Sequence, residues 1–130
     1  MDDWKFVQYN KVVDLFLDRH NIDLDSPDIK KKGNLERRLW ALLERGNEIR
    51  EPISKPLGDG LYELIAKEDR KQIRLAYFFM RSPDHRTMCF VHAFIKKTNQ
   101  TNPNDIKIAK RNKNNVENEG GKTDDFNLTY

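Results

Sequence analysis

The chain has little with which to do thiol or metal chemistry. Cys89 is the one cysteine among 130 residues, so no internal disulfide can form. Such sparing cysteine use suits the cytoplasm. Cys89 stands among Met88, Phe90 and Val91 with no cation beside it, which reads as a buried structural thiol rather than a reactive one. The three histidines, His20, His85 and His92, are far apart, and neither a Cys/His cluster at zinc spacing nor a His-Glu-x-x-His pattern occurs. No metal and no cofactor is therefore implied. No apolar run approaches the ~18 residues of a membrane-spanning helix, so no membrane is expected among the partners. The acidic opening Met1-Asp2-Asp3-Trp4 is not followed by the apolar stretch of a signal peptide. Gly58-Asp59-Gly60 is a turn without the lysine and helix that follow a phosphate-cradling loop, and no Gly-x-Ser-x-Gly elbow is present.

What the chain does have is charge. Hydrophobic residues make up 37% and charged residues 35%, with a mean hydropathy of −0.88, as in a soluble domain with a heavily charged surface. This length buries one ordinary core. The net charge of +3 hides an asymmetry: residues 1–28 carry −4, whereas residues 86–113 carry +6 from Arg86, Lys96, Lys97, Lys107, Lys110, Arg111 and Lys113 against Asp105. An uneven distribution of this kind brings a polyanion to one face. A solvated helix face is the plainer reading of the stretch from Lys107 to Lys113.

The order of elements reads β-α-α-β-β-β-α, an α+β fold with a small antiparallel sheet, a helical pair on one side and a short C-terminal helix. A strand is expected over residues 4–9 and a helix from about Asn10 to His20. Ser26-Pro27-Asp28 starts a second helix, with Ser26 as N-cap and Pro27 in the first turn. Leu35, Leu39, Leu42 and Leu43 continue it, Gly33 weakens its middle, and Gly46 stops it. Lys30, Lys31, Lys32, Arg37 and Arg38 fall mostly on its outer side. Residues 48–56, punctuated by Pro52 and Pro56, read as a loop. Three strands follow in a meander, over about 61–66, 72–80 and 87–95, with polar tips at 67–71 and 82–85. Asn102-Pro103-Asn104-Asp105 caps and starts the last helix. The domain spans residues 1–116, and residues 117–130 read as a polar, flexible tail without a core of its own.

Side chains alternate across a strand. Phe90, His92, Phe94 and Lys96 then share one face of the third meander strand, and Cys89, Val91, Ala93 and Ile95 the other, the better face for packing on helices. On the neighbouring strand Arg74, Ala76 and Phe78 oppose Ile73, Leu75, Tyr77 and Phe79. An arginine inside an apolar strand needs a partner. A structural ion pair with Glu63 is one reading of Arg74 and a phosphate contact is the other.

RNA can be cut without a metal when its 2′-hydroxyl attacks the adjacent phosphorus. The protein must then accept one proton, return another to the 5′ oxygen, and stabilise the charged phosphorane. Arg74, Lys96 and Lys97 suit the electrostatic work. A lysine with a lowered pKa also moves protons, and His92 is a second candidate for that step. A hydrogen-bonded sheet histidine is the alternative for His92. Candidate RNA-binding residues are Lys55, Tyr62, Arg86, Lys107, Lys110 and Arg111. Tyr62 and Tyr77 are candidates either for stacking on a base or for core packing.

Three motifs, Lys-Pro-Leu-Gly-Asp-Gly-Leu-Tyr-Glu-Leu (55–64), Ile-Arg-Leu-Ala-Tyr-Phe-Phe (73–79) and His-Ala-Phe-Ile-Lys-Lys-Thr (92–98), precede a proline-started basic helix. Together they resemble the HigB-like, phage-related branch of the RelE/ParE toxin superfamily over residues 4–115. The resemblance implies a cytoplasmic toxin of a type II toxin–antitoxin system, held inactive by a helix-turn-helix, HigA-like antitoxin. It implies an endoribonuclease acting on mRNA in the ribosome. It matches a phosphate-binding arginine to Arg74 and basic residues at the end of the next strand to Lys96 and Lys97. The family's Leu-Tyr-Glu-Leu-Arg motif has Ile65 in its last place here, and the terminal tyrosine of RelE has no counterpart. A ParE-like gyrase inhibitor, or a binding module without catalysis, are the alternatives within the same fold.

Overall fold

The structure is a computed structural model that describes residues 4–24, 33–81 and 86–128. The start expected at Ser26-Pro27-Asp28, the cations Lys30, Lys31 and Lys32, and the tip at 82–85 with His85 lie outside the described residues. The elements are β1 Lys5–Tyr9, α1 Val12–Arg19, α2 Asn34–Arg45, a 3-10 turn Gly46–Glu48, β2 Ser54–Gly58, β3 Leu61–Glu68, β4 Lys71–Phe79, β5 Thr87–Ile95, α3 Pro103–Asn118 and β6 Thr123–Asp125. The six strands form one sheet in the order β2-β3-β4-β5-β1-β6. β1 runs parallel to β5, and every other pairing is antiparallel. The fold is α+β with a mixed sheet and three helices, two strands richer than the expected order.

Both extra strands are held by a neighbouring strand. β2 begins in the stretch read as proline-broken loop and runs two residues beyond it. It is the sheet's edge, where proline is tolerated because no further strand needs its N–H. It joins β3 through the two-residue turn Asp59-Gly60, and β3 joins β4 through Asp69-Arg70. All four turn residues have positive φ, as the tight hairpin turns that match strand twist require. β6 arises in the stretch read as a tail. It pairs with β1, and the next residue, Phe126, is buried against Phe6 and Phe90 at ring separations of 6.1 and 5.8 Å. Thr123-Asp124-Asp125 shows no apolar alternation, so nothing local announces that strand.

The sheet has a core on each face. α1 and α2 bury Val13, Phe16, Leu17, Leu35, Leu39 and Leu42 against Leu64, Ile73, Leu75, Tyr77, Met88 and Phe90. The smaller core beneath α3 joins Ala109 to Leu61, Ala76, Phe78, Cys89 and Val91. α3 is fixed further by buried Asn112, whose Nδ2 donates to the Val91 carbonyl at 2.8 Å.

Strand side chains complete the helix starts. Gln8, fully buried on β1, accepts from the Val13 and Asp14 N–H groups at 3.1 and 3.0 Å. Its Nε2 donates to Asp14 Oδ2 at 2.9 Å and to the Asp125 carbonyl at 3.3 Å, so one amide ties β1, α1 and β6. Gln8→Leu keeps the bulk but strands two N–H groups of α1. We expect a loss of about 1–3 kcal/mol, read as a lower urea midpoint at unchanged m. Gly33 is not mid-helix but the N-cap of α2. Its missing side chain leaves room for the Glu68 carboxylate, which accepts the Leu35 N–H at 2.9 Å.

The register of β5 corrects the alternation read from its sequence. Tyr77 pairs with Phe90 but Ala76 with His92, so Val91 is an extra residue in a bulge. Before the bulge Met88 and Phe90 face α1 and α2, and after it Ala93 and Ile95 do. Cys89 and Val91 lie under α3, and His92 joins them on that side by bonding Asp105 of α3. Phe90 therefore does not share a face with His92, and the apolar set Cys89, Val91, Ala93, Ile95 is split between the two cores.

Candidate functional site

At the sheet end beside the N-terminus of α3, three strands each contribute a cation around one carboxylate. Glu63 on β3 is fully buried. Lys55 on β2 approaches its Oε1 at 3.5 Å, and Arg74 Nε on β4 lies 3.9 Å from the same oxygen. Thr101, in the loop before α3, donates its hydroxyl to Glu63 Oε2 at 3.0 Å. The ion pair read from sequence as one fate of Arg74 is thus present. Arg74 is 8% exposed, and its Nη1 donates to the Ile73 carbonyl at 2.9 Å and the Ala66 carbonyl at 3.5 Å, which fixes the plane of the guanidinium.

Lys96 belongs to the same group. It leaves β5 directly after Ile95, with its backbone N–H held by the Gln72 carbonyl at 2.7 Å. Burial holds its pKa below the usual lysine value, the positive charges of Lys55 and Arg74 lower it further, and Glu63 opposes them. Burial likewise lowers Arg74, again against the pull of Glu63. Lys96 and the exposed Lys97 line a shallow cavity of about 270 Å³ with Phe94, Thr98, Gln100 and Asp105. His92 stands beside it, its Nε2 donating to Asp105 Oδ1 at 2.8 Å and its ring stacked on Phe94 at 5.1 Å.

The remaining candidates are elsewhere. Tyr62 is on the opposite face of the sheet, near-stacked on Tyr77 at 5.7 Å and edge-on to Phe79 at 5.4 Å, in a cleft of about 540 Å³. Tyr77 itself is core: its hydroxyl shares a 2.6 Å hydrogen bond with Ser54, and burial pushes its pKa up to about 12. Arg86 lies over the Trp4 ring at 5.0 Å. Lys110 pairs with Asp59 of the β2–β3 turn at 2.9 Å, and Lys107 and Arg111 are exposed on α3. Cys89 is fully buried with its thiol pushed up to about 12 by burial, which removes it as a nucleophile.

Sequence reading missed Thr101 and Asp105 as members of the group. Asp105 had been read as a helix-start residue, and it is one, yet the first turn of α3 also lies against β5. Among the described residues no three His, Cys, Asp or Glu side chains group as a metal site requires. No helix among them is long and apolar enough to cross a membrane.

The molecule is thus a small α+β protein with a cationic cluster built where the adjacent strands β2, β3, β4 and β5 meet the loop into α3. A family model of phage-derived Gp49-like proteins (DUF891) matches residues 23–114, and the chain belongs to that family. The family is part of the RelE/ParE-like toxin superfamily of toxin–antitoxin systems. A search of curated proteins finds no match to the chain.

Proposed function

We propose that this protein is the toxin of a type II toxin–antitoxin pair, of the HigB-like kind, and a ribosome-dependent endoribonuclease that cuts mRNA by metal-independent attack of the 2′-hydroxyl. The observation that carries the reading is the gathering of Lys55, Arg74 and Lys96 around one point of the sheet, with Lys97 exposed beside them. Membership of a toxin-like family supports it.

In this reading Arg74, with its plane fixed, faces the phosphorane, where charge grows as the O2′–P bond forms and the P–O5′ bond breaks. Lys55 and Lys97 attract the flanking backbone. Lys96 already holds its proton less firmly than a free lysine does, so it suits return of a proton to the departing O5′. His92 donates through Nε2 to Asp105, which leaves Nδ1 as the acceptor for the 2′ proton. The partners are mRNA, the ribosome and a helix-turn-helix, HigA-like antitoxin.

Induced expression in a bacterium tests the proposal. Growth stops, and primer extension on translated messages shows new 5′ ends within reading frames, absent when translation is blocked. Growth arrest with intact messages removes the nuclease. Early DNA breaks and lost supercoiling, with translation continuing, would instead identify a ParE-like gyrase inhibitor.

A further inference from the structure

We infer that Glu63 is a positioning residue of this site: a buried carboxylate, aimed by Thr101, that holds Lys55 and Arg74 together beside Lys96. The inference rests on the ribonuclease reading for its consequence, but its geometry stands independently of that reading.

A fully buried carboxylate is costly unless opposite charge and hydrogen bonds surround it. Around Glu63 these come from three separate segments: Lys55 from β2, Arg74 from β4 and Thr101 from the loop before α3. Lys96 adjoins them, because Arg74 pairs across with Phe94 and Lys96 follows two residues on, its N–H bonded to the Gln72 carbonyl at 2.7 Å. Without a central negative charge, three cations so close would repel one another and spread. Thr101 fixes the direction of the carboxylate, and through the Asn102 cap it ties the cluster to the start of α3. The groups facing Lys96 are therefore Lys55, Glu63 and Arg74 from the sheet, with Lys97 and Asp105 along the cavity they share. Among the sheet groups only Glu63 favours the charged ammonium. Removing its charge therefore shifts Lys96 toward the neutral amine.

The experiment follows the Lys96 Cε resonance through a pH titration of the full chain, assigned with a Lys96→Arg sample. Glu63→Gln moves the Lys96 midpoint to lower pH than in wild type. Glu63→Asp retains the charge and returns the midpoint toward the wild-type position. Thr101→Val leaves the carboxylate in place but loosens its aim, and it moves the midpoint the same way as Glu63→Gln. Thr101 is half-buried in a loop, and this smaller change keeps the question decidable if Glu63→Gln does not fold. In cleavage assays the high-pH limb of the rate moves down in step. An unmoved Lys96 midpoint in the folded variants overturns the inference. So does a moved midpoint with an unchanged rate profile in a protein that cuts RNA. If the wild type cuts no RNA, the ribonuclease reading has failed, and the titration alone decides the role of Glu63.

Discussion

Arg74→Ala cuts translated message at least about a hundredfold more slowly than wild type and no longer arrests growth. Loss of one fixed donor aimed at developing charge costs roughly 10²–10³ in rate, and Arg74 is the most rigidly held cation of the cluster, tied to two carbonyls and to Glu63. Lost folding is the competing cause, because removing one member of a buried ion pair costs about 3–5 kcal/mol. Lys55 and Thr101 still hold Glu63 in the variant, which places the cost toward the low end. Two further variants separate the causes. Arg74→Lys keeps a positive charge but loses the planar fork, so it folds and remains far slower than wild type. Arg74→Met with Glu63→Gln removes both charges together, folds near wild-type stability and is inactive. Folded Arg74→Ala with wild-type cleavage would take Arg74 out of the reaction.

The cations of the site were legible in the sequence because an arginine in an apolar strand and a lysine pair at a strand end are conspicuous. The Arg74–Glu63 pair was read as well, but not its geometry: Glu63 pairs across with Ala76 rather than with Arg74, and the two charges meet on the diagonal. That Lys55 joins the same carboxylate was not legible. The β5 bulge was equally hidden, since Phe90-Val91-His92 reads as unbroken alternation and only the pairing with Ala76 and Tyr77 shows the extra residue. That one residue carries His92 and Phe94 to the α3 side while Phe90 remains in the larger core, and the His92–Asp105 bond depends on it. Tyr62 illustrates the converse. Its neighbour Glu63 is in the cluster, and strand alternation therefore sends Tyr62 to the other face.

The meander itself was read nearly to its bounds, because each strand is an apolar-rich run between polar turns, aromatic in β4 and β5. Strands that rely on a neighbour were missed. β2 is held by β3, and β6 by β1 together with the burial of Phe126, so neither declares itself within its own residues.

Gly46→Ala is the single small change expected to cost this fold most. Gly46 ends α2 at φ 54°, ψ −122°, a conformation essentially reserved for glycine, so any side chain there costs on the order of 1–3 kcal/mol. A Cβ would also fall inside the Trp4 indole, which rests on the Gly46 backbone. Trp4 cannot easily withdraw, because its ring is edge-on to Phe79 at 5.6 Å and covered by Arg86. Overpacking of this kind adds roughly 1–3 kcal/mol. The total, about 3 kcal/mol or more, is a large share of the ~5–15 kcal/mol that holds a typical domain folded. Urea denaturation of four proteins checks it: wild type, Gly46→Ala, Trp4→Ala and the double variant. With the indole gone, Gly46→Ala retains the backbone cost and loses the overlap, so the double variant is more stable than the sum of the single losses implies. Equal costs in both backgrounds would mean that Trp4 does not lie on Gly46. A cost below about 0.5 kcal/mol would mean that the chain does not turn there as described. The junction matters beyond stability, because the same turn carries the chain from α2 toward β2, the strand that places Lys55 beside Glu63.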